Sequence, residues 1–310
     1  MSPVLSRLEE PVVADRAQAR QQPVPADAGL IRRRLATQLR QGRERAGLTQ
    51  TQVARQLDWA ATTVIRIEGG KVSLTAADVT GLGHLYQTDT ATVAQWLAMA
   101  AASRWQRFTG YRDVVPDSFV EYLALEAAAT RITQWAPLLL PDLLQNGPYA
   151  DGVAHTSARA ETNPDAAERR ATLTAARQAG LRDRPTPPDL VVIVDEAVIE
   201  RLARGPDVML DQLEDLRRYV DHPYVTVHVA DYAAGFHLGL LGAFTLLEFG
   251  PADPPAAFAH PQPYTASERS GQLHLYQDVL KELTATDPAQ LGKVLDRYLT
   301  ITASRYVGAR

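Results

Sequence analysis

Residues 48–69 read LTQTQVARQLDWAATTVIRIEG, a pattern that indicates two short helices joined by a tight corner. Thr49 is placed to cap the first helix, and Gln52 three residues later completes the pattern of a capping box. Glycines at positions 69 and 70 are typical of a helix end. The stretch therefore predicts a helix-turn-helix unit. Its apolar side chains recur at helical spacing and are predicted to face the core: Val53, Ala54, Leu57, Val64 and Ile67.

The composition of the chain is that of an ordinary globular protein. Its 310 residues are 45% hydrophobic and 22% charged, and this length allows two domains. The absence of cysteine excludes disulfides, thiol catalysis and thiolate metal sites. Because no apolar run reaches membrane-spanning length and no signal-peptide core precedes the first domain, we expect a soluble cytoplasmic protein without a membrane partner.

Charge is distributed unevenly along the chain. Residues 27–87 carry nine Lys or Arg and five Asp or Glu, a net charge of +4. Residues 88–310 carry 20 basic and 28 acidic residues, a net charge of −8. A basic module joined to an acidic one is expected of a DNA-binding head on a sensing or assembling body, although chance could also produce it.

The pattern predicts three segments. Residues 1–26, rich in Pro, Gln and Ala, are expected to form a mobile arm. Residues 27–106, here called the head, are predicted to form an all-α five-helix domain. Its other three helices are expected at 30–46, 75–86 and 90–104.

Residues 107–310, here called the body, are predicted to form a larger α+β domain with a small antiparallel sheet. β-branched or alternating runs indicate strands at 190–194, 225–229, 244–249 and 256–259. Helical spacing indicates helices at 117–135, 163–180, 208–220, 270–283 and 288–306.

Residues 30–99 resemble the repressor-type (Xre/Cro) helix-turn-helix family. The resemblance rests on two segments at a characteristic distance, Ala46-Gly47-Leu48-Thr49-Gln50 and Arg66-Ile67-Glu68-Gly69. It implies an ion pair between Arg43 and Glu68 that ties the first helix to the third. It also implies that the helix of residues 61–68 reads DNA in the major groove. The implied DNA contacts to bases or phosphates are Gln50, Ala61, Thr62, Thr63, Arg66 and Lys71.

The sequence departs from this family at the reading helix. Ala60 and Ala61 stand where the family usually has a Ser or Thr cap, and Ile65 stands where a small polar residue is common. A helix with fewer polar side chains is expected to make fewer base contacts. The alternative to DNA reading is a head kept for packing or dimerisation.

Residues 119–300 resemble the ligand- or partner-binding domain that follows such heads in many actinobacterial regulators. The segments that carry the resemblance include Tyr122–Ile132, Leu140–Gln145 and Phe244–Phe249. Asp142 departs from it, because glycine is usual there. The resemblance implies a homodimeric transcription regulator, often with a small protein partner, and does not supply a ligand.

Four residues are candidates for the wall of a ligand pocket: Trp135, Tyr149, Phe236 and His237. His237 with Asp231 could also carry out acid–base chemistry, but no nucleophile motif, phosphate loop or metal-spaced histidine cluster accompanies the pair. Asp195 and Glu196 follow a predicted strand, where capping the next helix is the simpler role. We therefore expect no catalytic residue, no cofactor and no metal.

Two hypotheses follow from the sequence. The first is a sequence-specific DNA-binding transcription regulator, a homodimer whose body senses a small molecule or a protein partner. The second is an enzyme or metabolite-binding protein built on the same scaffold, whose helix-turn-helix no longer reads DNA. The polar residues Thr62 and Arg66 favour the first hypothesis, and Ala61 and Ile65 favour the second.

Overall fold

The computed structural model describes residues 28–103, 108–159, 161–201, 205–220, 222–232, 235–284 and 290–307. The arm predicted at residues 1–26 lies outside this range. Within it, a helical head is followed by a body built on one sheet. None of the helices in the described ranges is both long and apolar enough to cross a membrane.

The head has the five helices predicted for it. Thr49 begins the second helix with a capping box, in which its hydroxyl accepts from the Gln52 N–H and its own N–H donates to the Gln52 side chain. The corner that follows passes through Asp58, whose φ of 55° is in the left-handed region that Asp tolerates better than most residues. The five helices are α1 (Ala28–Arg45), α2 (Gln50–Gln56), α3 (Ala61–Glu68), α4 (Ala76–Leu85) and α5 (Thr90–Ser103).

The core of the head buries the apolar positions that the helical spacing predicts. Trp96 on α5 is fully buried, and its indole N–H donates to the Gln38 side chain at 2.9 Å. This hydrogen bond satisfies the one polar atom of the indole. The side chains around it include Leu35, Leu39, Val53, Val64, Ile67, Val79 and Leu82.

The body contains a mixed six-stranded sheet, so the predicted small antiparallel sheet is wrong. Three strands run parallel because helical crossovers connect them, and the other three are antiparallel. The order across the sheet is β3-β2-β1-β4-β5-β6. The strands are β1 (Arg131–Ala136), β2 (Asp189–Asp195), β3 (Val225–Ala230), β4 (Ala243–Glu248), β5 (Ala256–His260) and β6 (Ser267–Glu268).

The helix predicted for residues 117–135 is also wrong in its second half. Helix α6 (Asp117–Glu126) ends early, and the residues that follow form β1. Strand β1 lies in the middle of the sheet, parallel to β2 on one side and antiparallel to β4 on the other. Pairing with strands distant in the sequence therefore decides the conformation of this segment against its helical spacing.

Helices cover both faces of the sheet. One face, which includes Ile132 and Val192, packs against most of the helices of the body. The opposite face, which includes Trp135 and Ile193, packs against Val279 and Leu283. The remaining helices are α7 (Gly147–Ser157), α8 (Ala166–Arg182), α9 (Glu196–Glu200), α10 (Pro206–Arg217), α11 (Leu273–Leu283) and α12 (Gln290–Val307).

Candidate functional site

Helix α3 presents a polar edge to solvent while its other face joins the core of the head. Val64 and Ile67 are buried, whereas Thr62 and Arg66 are exposed. Ile65, on the same outer side, is 54% exposed. Ala61 is exposed and Thr63 is half-buried, and Ala60 before them offers no side-chain hydrogen bond to the helix N-terminus. The outer side of α3 is thus accessible, but only partly polar.

An ion pair fixes α3 against α1. The Arg43 Nε lies 2.5 Å from Glu68 Oε1, and its Nη2 donates to Oε2 at 3.0 Å. The hydrogen bond to Glu68 raises the pKa of Arg43. Gln50, a predicted phosphate contact, donates its side-chain N–H to the same carboxylate at 2.9 Å. Its backbone N–H, at the first position of α2, has no acceptor within the helix and is the group placed for a phosphate.

Lys71, another predicted phosphate contact, is engaged by the body. Its ammonium lies 2.8 Å from Glu121 on α6 and 3.4 Å from Glu268 on β6. Burial acts to lower the pKa of Lys71, but these carboxylates outweigh that effect and raise it. Together with Arg66, Lys71 lines a cleft of about 620 Å³ between head and body.

The head is docked on the body by close packing and by further ion pairs. A Cβ at Gly29 on α1 would lie 2.7 Å from Ala124 on α6, so only glycine fits this approach. Beside it, Arg34 donates from Nε to Asp253 at 2.6 Å, and Arg33 lies 3.5 Å from Glu268. The contact of α1 with the body therefore combines close packing against α6 with ion pairs to Asp253 and Glu268.

The body has a cavity of about 150 Å³ where β1 and β4 lie side by side. It is lined by the carboxyl end of β1, from Gln134, and by the amino end of β4, up to Thr245. Strands β2 and β3 lie on one side of β1, and the chain then crosses to the other side of β1 to form β4. In open sheets with helical crossovers, a ligand crevice forms at such a switch point, outside the carboxyl ends of the parallel strands.

A buried ion network forms one wall of this cavity. The Arg177 guanidinium donates to both oxygens of Glu126, at 2.9 and 2.7 Å, and also to Asp142. The Tyr122 hydroxyl donates to Glu126 at 2.6 Å. Burial opposes the charge on Arg177, but Asp142 and Glu126 together hold its pKa well above the ordinary value. Burial, and after it the Glu126 charge, raises the pKa of Tyr122.

A second wall is formed by a chain of hydrogen bonds. His260 Nδ1 lies 2.7 Å from the Thr265 carbonyl oxygen, to which it must donate. Burial lowers the pKa of His260, so the ring is neutral and its Nε2 accepts from the Thr245 hydroxyl at 2.9 Å. The Thr245 oxygen in turn accepts from the Gln134 amide N–H at 3.2 Å.

The four predicted pocket residues separate in the structure. Trp135 lines the cavity and donates its indole N–H to the Gly239 carbonyl at 2.6 Å. His237 packs edge-on against Trp135, with ring centroids 5.4 Å apart, behind the wall. Tyr149 lines a neighbouring cavity, where its hydroxyl accepts from the Leu140 N–H. Phe236 is 99% exposed and lines neither cavity.

The sequence interpretation missed the polar residues of the cavity wall. Gln134 and Arg177 lie in otherwise apolar or Ala-rich segments, and an isolated polar residue in such a segment is a weak signal of a buried network. Asp142 was noted only as a departure from a family pattern, and the structure makes it a partner of Arg177. Asp195 caps α9 by accepting from the Ala197 N–H. In the described part of the chain, no group of three or more acidic or histidine side chains is placed to hold a metal ion.

The fold of the head and its accessible helix define a helix-turn-helix protein, which indicates DNA binding in a regulatory role. Residues 34–96 match a helix-turn-helix domain family. Residues 119–290 match the domain of unknown function DUF5753, which covers more than half of the chain, and the protein belongs to this family. No curated protein and no solved structure matches the chain.

Proposed function

We propose that the protein is a sequence-specific transcription regulator of the Xre/Cro kind, acting as a homodimer whose body senses a small molecule. The observation that carries the proposal is the accessible side of α3, held in place by the buried pair of Arg43 and Glu68. A helix positioned in this way can enter a major groove with its side chains preorganised. No residue is assigned a catalytic role.

Thr62 and Arg66 are the base readers in this proposal. A guanidinium can donate two hydrogen bonds to guanine, and a threonine hydroxyl can reach either donors or acceptors on base edges. Ala61 and Thr63 lie beside them and would contact the groove wall. Arg66 has no ion-pair partner among the described residues, so its charge is available for DNA.

Phosphate contacts would come from α2 and from the turn after α3. The N-terminus of α2 at Gln50 offers backbone N–H groups to a phosphate. Lys71 can add a contact only if phosphate replaces the carboxylates of Glu121 and Glu268. DNA binding and the docking of the head on the body therefore compete for one ammonium group.

The proposed homodimer follows from the size of the reading helix. Helix α3 has eight residues and reaches only a few base pairs, so a specific site requires two such helices about one DNA turn apart. Exposed apolar side chains in one loop of the body, Phe236 and Leu240, support a subunit contact there.

Helix α6 supports the proposed sensing role because it contacts both sites. Its Glu121 holds Lys71 next to α3, while Phe119 and Tyr122 line the cavity at the adjoining ends of β1 and β4. At the end of the helix, Glu126 binds Arg177 in the cavity wall. A ligand that shifts α6 would therefore change the contact between head and body.

A metabolite-binding protein or enzyme with an inactive head is the second candidate. The apolar surface of α3 at Ala61 and Ile65 favours it, as does the engagement of Lys71 by the body. In that case the cavity would be the functional site and the head a packing domain.

Selection of bound sequences from a random DNA pool, followed by gel shifts across a salt series, tests the proposal. We expect one enriched motif with two half-sites, competition only by that motif, and affinity that falls as salt rises. Analytical ultracentrifugation of the complex should give two chains per site. Failure to enrich any motif would favour the second candidate.

A further inference from the structure

We propose that the cavity at the carboxyl end of β1 and the amino end of β4 binds a small organic amine that has an apolar, ring-sized body. The inference rests on the sensing role proposed for the body and names the chemical class that this site would take. It is carried by two buried hydrogen-bond acceptors in the wall and by the charge balance of the network beside them.

The first acceptor is the side-chain oxygen of Gln134, a residue only 6% exposed that lines the cavity. Its orientation follows from the hydrogen-bond chain, in which the Thr265 carbonyl requires the Nδ1 proton of His260. The neutral His260 ring then takes the Thr245 proton, and the Thr245 oxygen requires the N–H of Gln134. The Gln134 Oε1 is thus the amide atom left over, and it has no hydrogen-bond partner among the described residues.

The second acceptor is the side-chain oxygen of Gln145, which is also 6% exposed and lines the same cavity. Its amide nitrogen donates to the Leu140 carbonyl at 2.6 Å, which identifies the remaining atom as oxygen. The Gln145 Oε1 has no partner within the described ranges. A buried acceptor without a donor is costly, so a ligand that supplies N–H groups to both amides is favoured.

Three donor side chains of the wall are already committed to protein acceptors. Arg177 donates to Glu126 and Asp142, Tyr122 donates to Glu126, and the Trp135 indole donates to Gly239. A carboxylate or phosphate ligand would therefore gain no hydrogen bond from these three side chains and would face the two buried amide oxygens.

The charge of the wall also favours an amine. Glu126 and Asp142 carry two negative charges against the single positive charge of Arg177, and His260 is neutral. An ammonium group would balance the excess negative charge, whereas an anion would add to it. Glu126 lies behind the lining formed by Arg177 and Asp142, and the net charge beside a buried site favours ligands of the opposite sign.

The rest of the cavity wall determines the size and shape of the apolar part of the ligand. Phe119, Trp135 and Phe244 provide aromatic surface, and the turn from Pro137 to Pro141 closes one side. A cavity volume of about 150 Å³ matches an engineered apolar cavity that accommodates benzene. A single ring or a short branched chain with one amino group is the size that fits.

The test uses the full chain without DNA and two probes of similar size and opposite charge, benzylamine and benzoate. Isothermal titration and thermal shift should show binding of benzylamine and affinity for benzoate at least about tenfold weaker. The substitution Gln134→Met keeps the length of the side chain and removes the acceptor, and it should weaken benzylamine binding about tenfold. Gln41→Met, on the exposed side of α1, is the matched control and should bind as the native chain does.

Equal affinity for the two probes, no binding of benzylamine, or undiminished binding by the Gln134→Met variant would each overturn the inference. The comparison of probes on the native chain stands even if the Gln134→Met variant does not fold. Because binding is measured without DNA, loss of DNA recognition would refute the proposed function and leave this inference intact. Benzylamine failing to bind a chain that still recognises its DNA would refute the inference alone.

Discussion

The ammonium of Lys71, just beyond the reading helix, lies 2.8 Å from the carboxylate of Glu121 on the body. This contact joins the part of the head that would meet DNA to the helix that also lines the cavity. The body therefore presents to the head a negative charge of the kind that a DNA phosphate would present.

Removing that charge should strengthen DNA binding. In the Glu121→Gln variant, Lys71 keeps only the longer contact to Glu268. Its ammonium can then bind a DNA phosphate with a smaller loss of ion-pair energy. We expect a few-fold gain in affinity and a plot of log affinity against log salt that is steeper by about one. Gel shifts or fluorescence anisotropy across a salt series measure both quantities.

Asp117→Asn is the matched control, because Asp117 lines the same cleft but pairs with Arg112 rather than with Lys71. It should change the affinity less than Glu121→Gln does. Equal effects of the two variants would mean that overall charge, and not the contact with Lys71, sets the affinity.

Arg66→Ala should lower DNA affinity more than any other single change on α3. If its guanidinium contacts a guanine edge, the loss is about 1–3 kcal/mol and specificity relaxes at one base pair of each half-site. Arg55→Ala, an exposed arginine of α2, removes the same charge from the head and serves as control. A loss that is equal for all DNA sequences would assign Arg66 to a phosphate instead.

The Arg43–Glu68 pair should be essential for the stability of the head. Glu68→Gln removes the charge that accepts two hydrogen bonds from Arg43, in a position where the Glu68 side chain is only 4% exposed. We expect the free energy of unfolding to fall by about 2 kcal/mol in urea titrations followed by circular dichroism. Glu44→Gln alters an exposed partner of Arg40 that lies 3.6 Å from Arg43, and because that contact is long and exposed it should lower stability far less than Glu68→Gln does.

Breaking the buried ion network around Arg177 in the body should lower the free energy of unfolding more than breaking the Arg43–Glu68 pair in the head. Arg177→Met leaves the carboxylates of Glu126 and Asp142 without their cation, and the Arg177 side chain is 1% exposed. Such a change costs about 3–5 kcal/mol, so the variant should unfold at much lower urea concentration. Arg182→Met, on an exposed turn of the same helix, should behave as the native chain does. Retained stability of the Arg177→Met variant would show that the network contributes little to the fold.

The stability of the body should depend on pH through His260. Burial lowers the pKa of His260 below its ordinary 6.5. Below pH 6.5 His260 binds a proton in the unfolded chain but remains neutral in the folded chain. The contribution of His260 to the free energy of unfolding is therefore complete above pH 6.5 and is lost as the pH falls towards the pKa of the folded state. The groups around its ring are the Tyr122 ring, the Thr245 hydroxyl and the charged side chains of Glu126, Asp142 and Arg177.

Urea titrations between about pH 7 and pH 5.5 measure this dependence. His260→Gln should flatten the decrease in the free energy of unfolding, whereas His274→Gln, at an exposed position of α11, should not. An unchanged slope in the His260→Gln variant would assign the pH dependence to other groups.

Local sequence determined the head of this protein. The capping residues Thr49 and Gln52, the glycines after α3 and the apolar spacing each act within a few residues, and the structure has these helices as predicted. Four strands of the body were also predicted near their observed positions, because continuous β-branched or alternating runs carry that information locally. The arm of residues 1–26 is not covered by the structure.

Tertiary structure alone decided the rest. The segment of β1 has helical spacing, and it becomes a strand because β2 and β4 pair with both its edges. The same pairing brings Gln134 to Thr245, 111 residues apart, and folding brings Arg177 to Glu126, 51 residues apart. The sequence predicts that Lys71 contacts a DNA phosphate. Only the docking of α1 on α6 shows that the Lys71 ammonium is already paired with the Glu121 carboxylate. Caps and helical periodicity are short-range properties, whereas a buried charge or a free acceptor is defined by neighbours that the chain brings together only on folding.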